Sequence, residues 1–480
     1  FVSGVANLTS LGLKFTGTTG TGTFTFTPAT GTAATSGSVS ISAGTATKLV
    51  VTGTGTQTAG SPQTITVTAK DAQGNTATGY TGSHNITFSG ANSSSSPVTV
   101  PTIGGTDFGT ATSLSFTNGV ATASMILYKS ELATIAATDG TIVAAGSDRL
   151  SVTASESSFS KLVVSLTSPQ INGTAFTGTN TLTAQDAYGN TVTSFNASGT
   201  NVTVTSTLTG TISGLGSGVD NVLNQAGDFS SGVANLTSLG LKFTGTSGAG
   251  TFTFTPASGT AATSSSVTVN PGAATKLVVT GTGTQTAGGT QTITLTAKDA
   301  NGNTATAYTG SHTITFSGAA SSLSPSTAPT VASTNFGTGT SLTFTDGVAT
   351  ASLRLYKAEA ATVSATDGTI SSTGGDRLSV TVSPSTLSKF AVELTSPQIN
   401  AVAWTGVNTV TAQDAYGNTV TTFDASQDII TVTGVPAVGV VISGLSGGDK
   451  LNSASDFVNG VSNLTNKLTL TGNSGTGALV

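Results

Sequence analysis

The sequence predicts an all-β fold, a tandem row of two-sheet sandwiches, and three observations carry that prediction. Apolar residues alternate with Thr and Ser in short runs, as where Ile65, Val67 and Ala69 lie between Thr64, Thr66 and Thr68; a period of two marks a strand with one buried face. Turn-forming clusters of Gly, Asn, Asp and Ser punctuate these runs. The whole pattern then repeats at a fixed distance, which decides the architecture before any detail does. No stretch carries convincing helical periodicity.

Within one unit the elements follow in order. Lys48-Leu49-Val50-Val51 opens as a first strand, and the Ile65 to Ala69 alternation is the second. Asp71-Ala72-Gln73-Gly74-Asn75-Thr76 then turns the chain: Asp accepts hydrogen bonds from backbone N–H groups ahead of it, and Gly takes the left-handed conformation other residues resist. A third strand is expected from Thr76 and a fourth over Asn85 to Phe88, followed by a Ser/Pro/Gly-rich stretch from Ser89 to Gly109. Phe116-Thr117-Asn118-Gly119 starts a strand whose Ala121, Ala123, Met125 and Leu127 share a face. Ala133, Ile135 and Ala137 share another before Asp139-Gly140, and Leu150 with Val152 closes the unit. Seven short strands in about 110 residues describe a sandwich of two packed sheets.

The turn motif is written four times, at Asp71, Asp186, Asp299 and Asp414, in steps of 115, 113 and 115 residues. A second marker, F-x-x-G-V, starts at Phe1, Phe116, Phe229, Phe344 and Phe457. Phe1, Phe229 and Phe457 begin near-identical stretches, so the full period is 228 residues, made of two alternating units of about 114. One flavour reads A-K-D-A at the turn and the other A-Q-D-A-Y.

Composition narrows the function classes. Only 7% of the 480 residues are charged, with 61 Gly, no Cys and a net charge of −5; this is too weak a field for a nucleic-acid or anionic-membrane partner. The lack of Cys removes disulfides, thiolate metal sites and thiol nucleophiles. No apolar run reaches the length of a membrane-spanning helix, and no leader-like segment opens the sequence.

The strand ending in D-A-x-G-N, followed by Thr345 to Leu353 (T-D-G-V-A-T-A-S-L) and Ala361 to Gly368 (A-T-V-S-A-T-D-G), resembles the bacterial immunoglobulin-like domains that occur in tandem in invasin- and intimin-like adhesins and other long prokaryotic surface proteins. The resemblance covers essentially the whole chain. It implies immunoglobulin-like sandwiches acting as stalks and spacers, and it carries over nothing catalytic. The expected division is a C-terminal part of a domain at 1–45, whole domains at 46–157, 158–273 and 274–385, and an incomplete one at 386–480, which lacks the strand equivalent to Val39 and Ile41. Either the sequence is a window cut from a longer repetitive chain, or residues 1–45 of one subunit complete the last domain of the next. Residues 457–480 repeat what 1–25 supply, which favours the window.

Candidate sites are few. His84 and His312 occupy one repeat position without triad spacing and read as plain strand residues. No cofactor is expected; Ca²⁺ between domains is the one ion the recurrent aspartates leave open, but one Asp and one Asn per turn are far from six to eight oxygens. Tyr188 and Tyr416 stand at the turn where the other flavour has Gln73 and Asn301, and each is expected to pack on the preceding domain or to lie solvated. Of the Asn-x-Ser/Thr sequons, those at Asn7, Asn235 and Asn463 recur, on a strand face opposite Ala6 and Leu8 in the first copy, and are the glycosylation candidates. Lys48, Lys161, Lys276 and Lys389 begin equivalent strands and read as edge-guarding lysines rather than isopeptide donors.

The functional expectation is therefore a non-enzymatic, extracellular structural protein of a prokaryotic cell surface, self-associating with its own copies into a filament or stalk. Two rivals stay open: an adhesin whose loops, such as Ser89 to Gly109, hold a glycan or a cell-surface partner, and a surface-layer lattice protein. The single Trp, Trp404, stands where the sister unit has Phe176 and reads as core rather than as a glycan platform.

Overall fold

The computed structural model describes residues 1–216, 221–435, 439–473 and 475–480. The chain divides into two compact units, Phe1–Val269 and Asn270–Val480.

In the first unit, residues 48–155 build two five-stranded sheets. One runs Thr106–Asp107, Thr102–Ile103, Val120–Ile126, Gln63–Lys70, Lys48–Thr52; the other runs Ala111–Phe116, Gly82–Ser89, Glu131–Thr138, Leu150–Ser155, Thr56–Thr58. Thr56–Thr58 lies parallel to Leu150–Ser155, with Thr56 opposite Thr153, so the opening segment of the sandwich contributes to both sheets. The strand order is that of an immunoglobulin-like sandwich. The inward faces of the two sheets, including Leu49, Ile65, Val67, Ile86, Phe88, Met125, Ile135 and Val152, are buried in one core, while Thr64, Thr66 and Thr68 point the other way, as the alternation requires.

Three local readings change. F-x-x-G-V is not the start of a strand but a corner: Ala111–Phe116 ends in one sheet and Val120–Ile126 begins in the other. Asn118 and Gly119 turn there with φ of 50° and 82°, and a Cβ on Gly119 would come within 2.7 Å of the Ala77 carbonyl oxygen. The strand at 111–116 escapes the sequence because a buried Thr112 replaces one apolar residue of its alternation. After the Asp71 turn, Thr76 makes a single bridge with Lys70 and pairing resumes only at Gly82, since Ala77 is drawn into the core and Tyr80 packs against it.

Residues 161–269 form a second sandwich in smaller sheets. Lys161–Ser165, Thr181–Gln185 and Val233–Asn235 make one, and Val222–Leu223, Val202–Ser206, Phe252–Pro256 and Ala262–Thr263 another, around Phe176, Phe243, Phe252 and Phe254. A one-turn helix, Leu236–Leu239, interrupts the all-β pattern. Asn235 caps it by accepting from Ser238 N at 3.1 Å, and Gly240 ends it at φ 86°. In residues 1–45 the same sequence makes two strand pairs, Gly20–Gly22 with Val39–Ile41 and Thr25–Phe26 with Ala34–Thr35, and buries no side chain.

The second unit repeats these registers. Lys276 pairs with Lys298 as Lys48 does with Lys70, and Thr284 lies parallel to Thr381, so the 228-residue period extends into the ladders. Residues 389–480 pair Lys389–Leu394, Asn408–Gln413 and Val461–Asn463 over a core that includes Trp404, Val410 and Leu468.

Ile65→Ala is expected to cost about 2–5 kcal/mol and to lower the urea midpoint of the transition involving the first unit, whereas Thr66→Ala, on the outer face, should change it by less than about 0.5 kcal/mol. Denaturation followed by circular dichroism checks both; equal effects would contradict the assignment of faces.

Candidate functional site at the turn motif

The chemistry of the D-A-x-G-N-T turn begins with a buried carboxylate. Asp186 is fully buried, and both its oxygens are occupied by N–H donors. Oδ1 accepts from the backbone of Tyr188 and Asn190, each at 2.9 Å; Oδ2 accepts from Ser157 N at 2.9 Å and from Asn190 Nδ2 at 2.8 Å. Ser157 belongs to the segment joining the two sandwiches, so the carboxylate ties the turn to the linker as well as to itself. Asp414 repeats the set with Tyr416, Asn418 and Ser385. Asp71 holds Gly44 N at 3.0 Å, and Asp299 holds Gly272 N at 3.0 Å. These oxygens face donors, which is the opposite of what a cation requires. Among the described residues no group of three or more His, Asp or Glu could hold a metal ion.

The Asn of the motif reaches further. Asn190 Oδ1 accepts from Ser130 N at 2.7 Å, while Nδ2 donates to the Tyr128 carbonyl at 2.8 Å. The side-chain amide thus pairs with the backbone of residues i and i+2 in the preceding sandwich, as a neighbouring strand would. Asn418 does the same with Ala358 N and Tyr356 O, both at 2.7 Å, and Asn75 with Thr19 N at 3.3 Å and Gly17 O at 3.0 Å. Reading the motif as a turn alone misses this role, because its partners are backbone atoms that leave no mark in the sequence.

Tyr188 lies between the sandwiches. Its ring centroid is 5.0 Å from that of Tyr128, and its carbonyl accepts from Ser96 N at 3.3 Å. Its hydroxyl is seated over Gly60, which has φ 77°; a Cβ there would collide with the phenol. Tyr416 repeats this with Tyr356 at 5.1 Å, Ser324 and Gly288. Lys161 Nζ donates to Ser96 O at 2.6 Å, and Lys389 Nζ to Ser324 O at 2.6 Å. Lys48 and Lys276 instead pair with Asp148 and Asp376 at 3.0 Å. All four lysines start strands at a sheet edge, and each is tethered to a carboxylate or a loop carbonyl instead of standing free.

The remaining candidates are simpler. His84 stacks on Tyr80 at 3.8 Å, and the Tyr80 hydroxyl donates to Asp139 Oδ2 at 2.7 Å; burial and that bond push the phenol above its usual range. Asn7, Asn235 and Asn463 are exposed, and each Oδ1 accepts from a backbone N–H two or three residues on. Asn235 therefore sits at a strand end capping a helical turn, not within a strand face, because the residue after it already bends away.

No protein-family model and no curated protein sequence matches the chain. Among solved structures it is similar to InvD of Yersinia pseudotuberculosis, at 19% identity over 67% of this chain and 84% of that one, with a TM-score of 0.27. It is also similar to the adhesin InvE of the same organism, at 23% identity over 46% and 58%, with a TM-score of 0.19. The surface layer protein SbsC, domains 1–6, matches at 17% identity over 93% and 54%, with a TM-score of 0.20. At such TM-scores the fold rests on the strand order above.

Burial raises the Asp414 carboxyl, but hydrogen bonds from Asn418, Ser385 and Tyr416 outweigh it and hold the pKa below the ordinary value; Asp299 behaves alike with Asn303, Gly272 and Asn301. A pKa lower in the folded chain than in the unfolded one gives stability that is full above the unfolded value, about 4, and lost as pH falls through the folded one. The melting temperature should therefore fall from about pH 4 downward, and less steeply in Asp414→Asn; identical slopes would exclude this carboxylate as a source. Asn190→Ala should cost about 1–3 kcal/mol by stranding Ser130 N and Tyr128 O, measurable as a lower midpoint in urea.

Proposed function

We propose that the chain is a structural element of an extracellular prokaryotic surface filament or stalk, in which immunoglobulin-like sandwiches are held end to end by their turn motifs. The observation that supports this reading is a repeated contact: Asn190 and Asn418 pair with the preceding sandwich's backbone, and the phenols of Tyr188 and Tyr416 sit over Gly60 and Gly288, which on this reading makes them domain-interface residues. Two partly buried hydrogen bonds per Asn, at roughly 0.5–1.5 kcal/mol net each, restrain a joint that a bare linker would leave free. On this reading the divisions fall at 46–157, 158–273 and 274–385, and the hydrogen bonds from Gly44, Ser157, Gly272 and Ser385 to the next turn's aspartate support them. Force passes through backbone pairing rather than through chemistry, so no catalytic step is assigned. Exposed Thr faces with little charge repel a second copy weakly and favour self-association.

Electron microscopy of the purified chain should show filaments; uniformly dispersed monomers at high protein concentration would defeat the self-association. The joint is tested apart from that. In small-angle scattering of the monomeric fraction, Tyr188→Asn with Tyr416→Asn should broaden the distribution of interatomic distances, and an unchanged curve would remove the tyrosines from the interface.

A further inference from the structure

On the outer face of the second unit's first sandwich, Thr290, Thr330, Ser333, Ser352, Arg354 and Tyr356 line an open hollow of about 310 Å³. Arg354 ends the strand Val348–Arg354, and its Nε donates to Thr290 Oγ1 at 2.7 Å. That bond holds the Nε edge of the guanidinium against Thr290. Among the described residues its two terminal nitrogens have no hydrogen-bond partner and no acidic group pairs with it. Four hydroxyls and one phenol line the hollow with it.

The sister sandwich supplies an internal comparison. At the same repeat positions it has Pro62 for Thr290, Gly105 for Ser333 and Ile126 for Arg354, while Thr102, Ser124 and Tyr128 are kept. The difference at Ser333 carries strain: the turn between Thr330–Val331 and Thr334–Asn335 places Ala332 and Ser333 at φ 46° and 66°, where the sister uses Gly104 and Gly105. A side chain is disfavoured in that region and is retained where something else repays it.

We propose that this hollow binds an acidic sugar, a hexuronic-acid residue of a polysaccharide. A guanidinium engaged through its Nε still offers its two terminal nitrogens as parallel N–H donors to a carboxylate. The Thr and Ser hydroxyls of the lining match sugar hydroxyls, and the Tyr356 ring supplies an apolar wall. The volume stands at the lower end of ligand sites, the size of one sugar unit rather than a chain. The site lies beside the Tyr356–Tyr416 contact and away from the loops of the Ser89 to Gly109 type. It adds a ligand to the structural reading and does not depend on filament formation.

The test titrates the full chain with trigalacturonate and with neutral galactotriose, following NMR shifts or calorimetry. Trigalacturonate is expected to bind at least tenfold more tightly than galactotriose, and less tightly as salt is raised. Arg354→Ile, which installs the sister residue in the same fold, should weaken trigalacturonate at least tenfold with an unchanged melting temperature, and Ser333→Gly should weaken it about threefold while raising the melting temperature. No binding by the native chain, equal binding of the two sugars, or unchanged affinity in Arg354→Ile each overturns the site, whether or not filaments form.

Discussion

A buried aspartate in a turn is the constraint from which the rest of this architecture follows. A carboxylate removed from water is tolerated only when its lone pairs are filled by donors, and Asp186 fills them from three places: its own turn, the Asn190 amide and the linker at Ser157. The same four bonds that close the turn thus orient the Asn and anchor the connecting segment. The turn and the connecting segment therefore share one carboxylate, and Asn190 carries the contact on to the backbone of residues 128 and 130.

The two flavours build on this common base with different neighbours. Where the third motif position is Tyr, as at 188 and 416, a Gly in the preceding sandwich is left bare to receive it, and the first-strand lysine crosses to a loop carbonyl. Where that position is Gln73, the lysine of the same strand turns to Asp148 within its own sandwich. A residue type repeated every unit therefore carries two roles, selected by what lies within reach of its Nζ. Asn75 still pairs with Gly17 and Thr19, so the backbone grip is shared and the aromatic contact is the variable part.

Much of this was legible in the sequence because strands with one buried face write their geometry as alternation. Ile65, Val67 and Ala69 face the core as read, and the 228-residue period reappears as equal registers. What escaped did so for physical reasons. The strand at 111–116 is disguised by Thr112 on its buried face. The helical turn at Leu236–Leu239 is too short to show a period of 3.6. The second duty of Asn190 is answered by a carbonyl 62 residues away, and a backbone atom looks the same whatever residue carries it. Tyr188 could be singled out because it breaks the likeness between flavours, whereas Asn190 could not because it is present in both.

That asymmetry gives a rule for where function can enter a repetitive chain. Core and junction positions are each held by several partners at once, so a change there disturbs folding and attachment together. Outer-face positions have fewer partners, as Arg354 with its one bond to Thr290. Ile126 and Arg354 occupy the same register on the same strand, and exchanging one for the other leaves the ladder beneath unaltered, with Met125 opposite Gln63 and Leu353 opposite Gln291. A cation in a chain with 7% charged residues is then an informative departure: the period supplies the background against which it stands out, and with Thr290 and the strained Ser333 beside it three departures converge on one place.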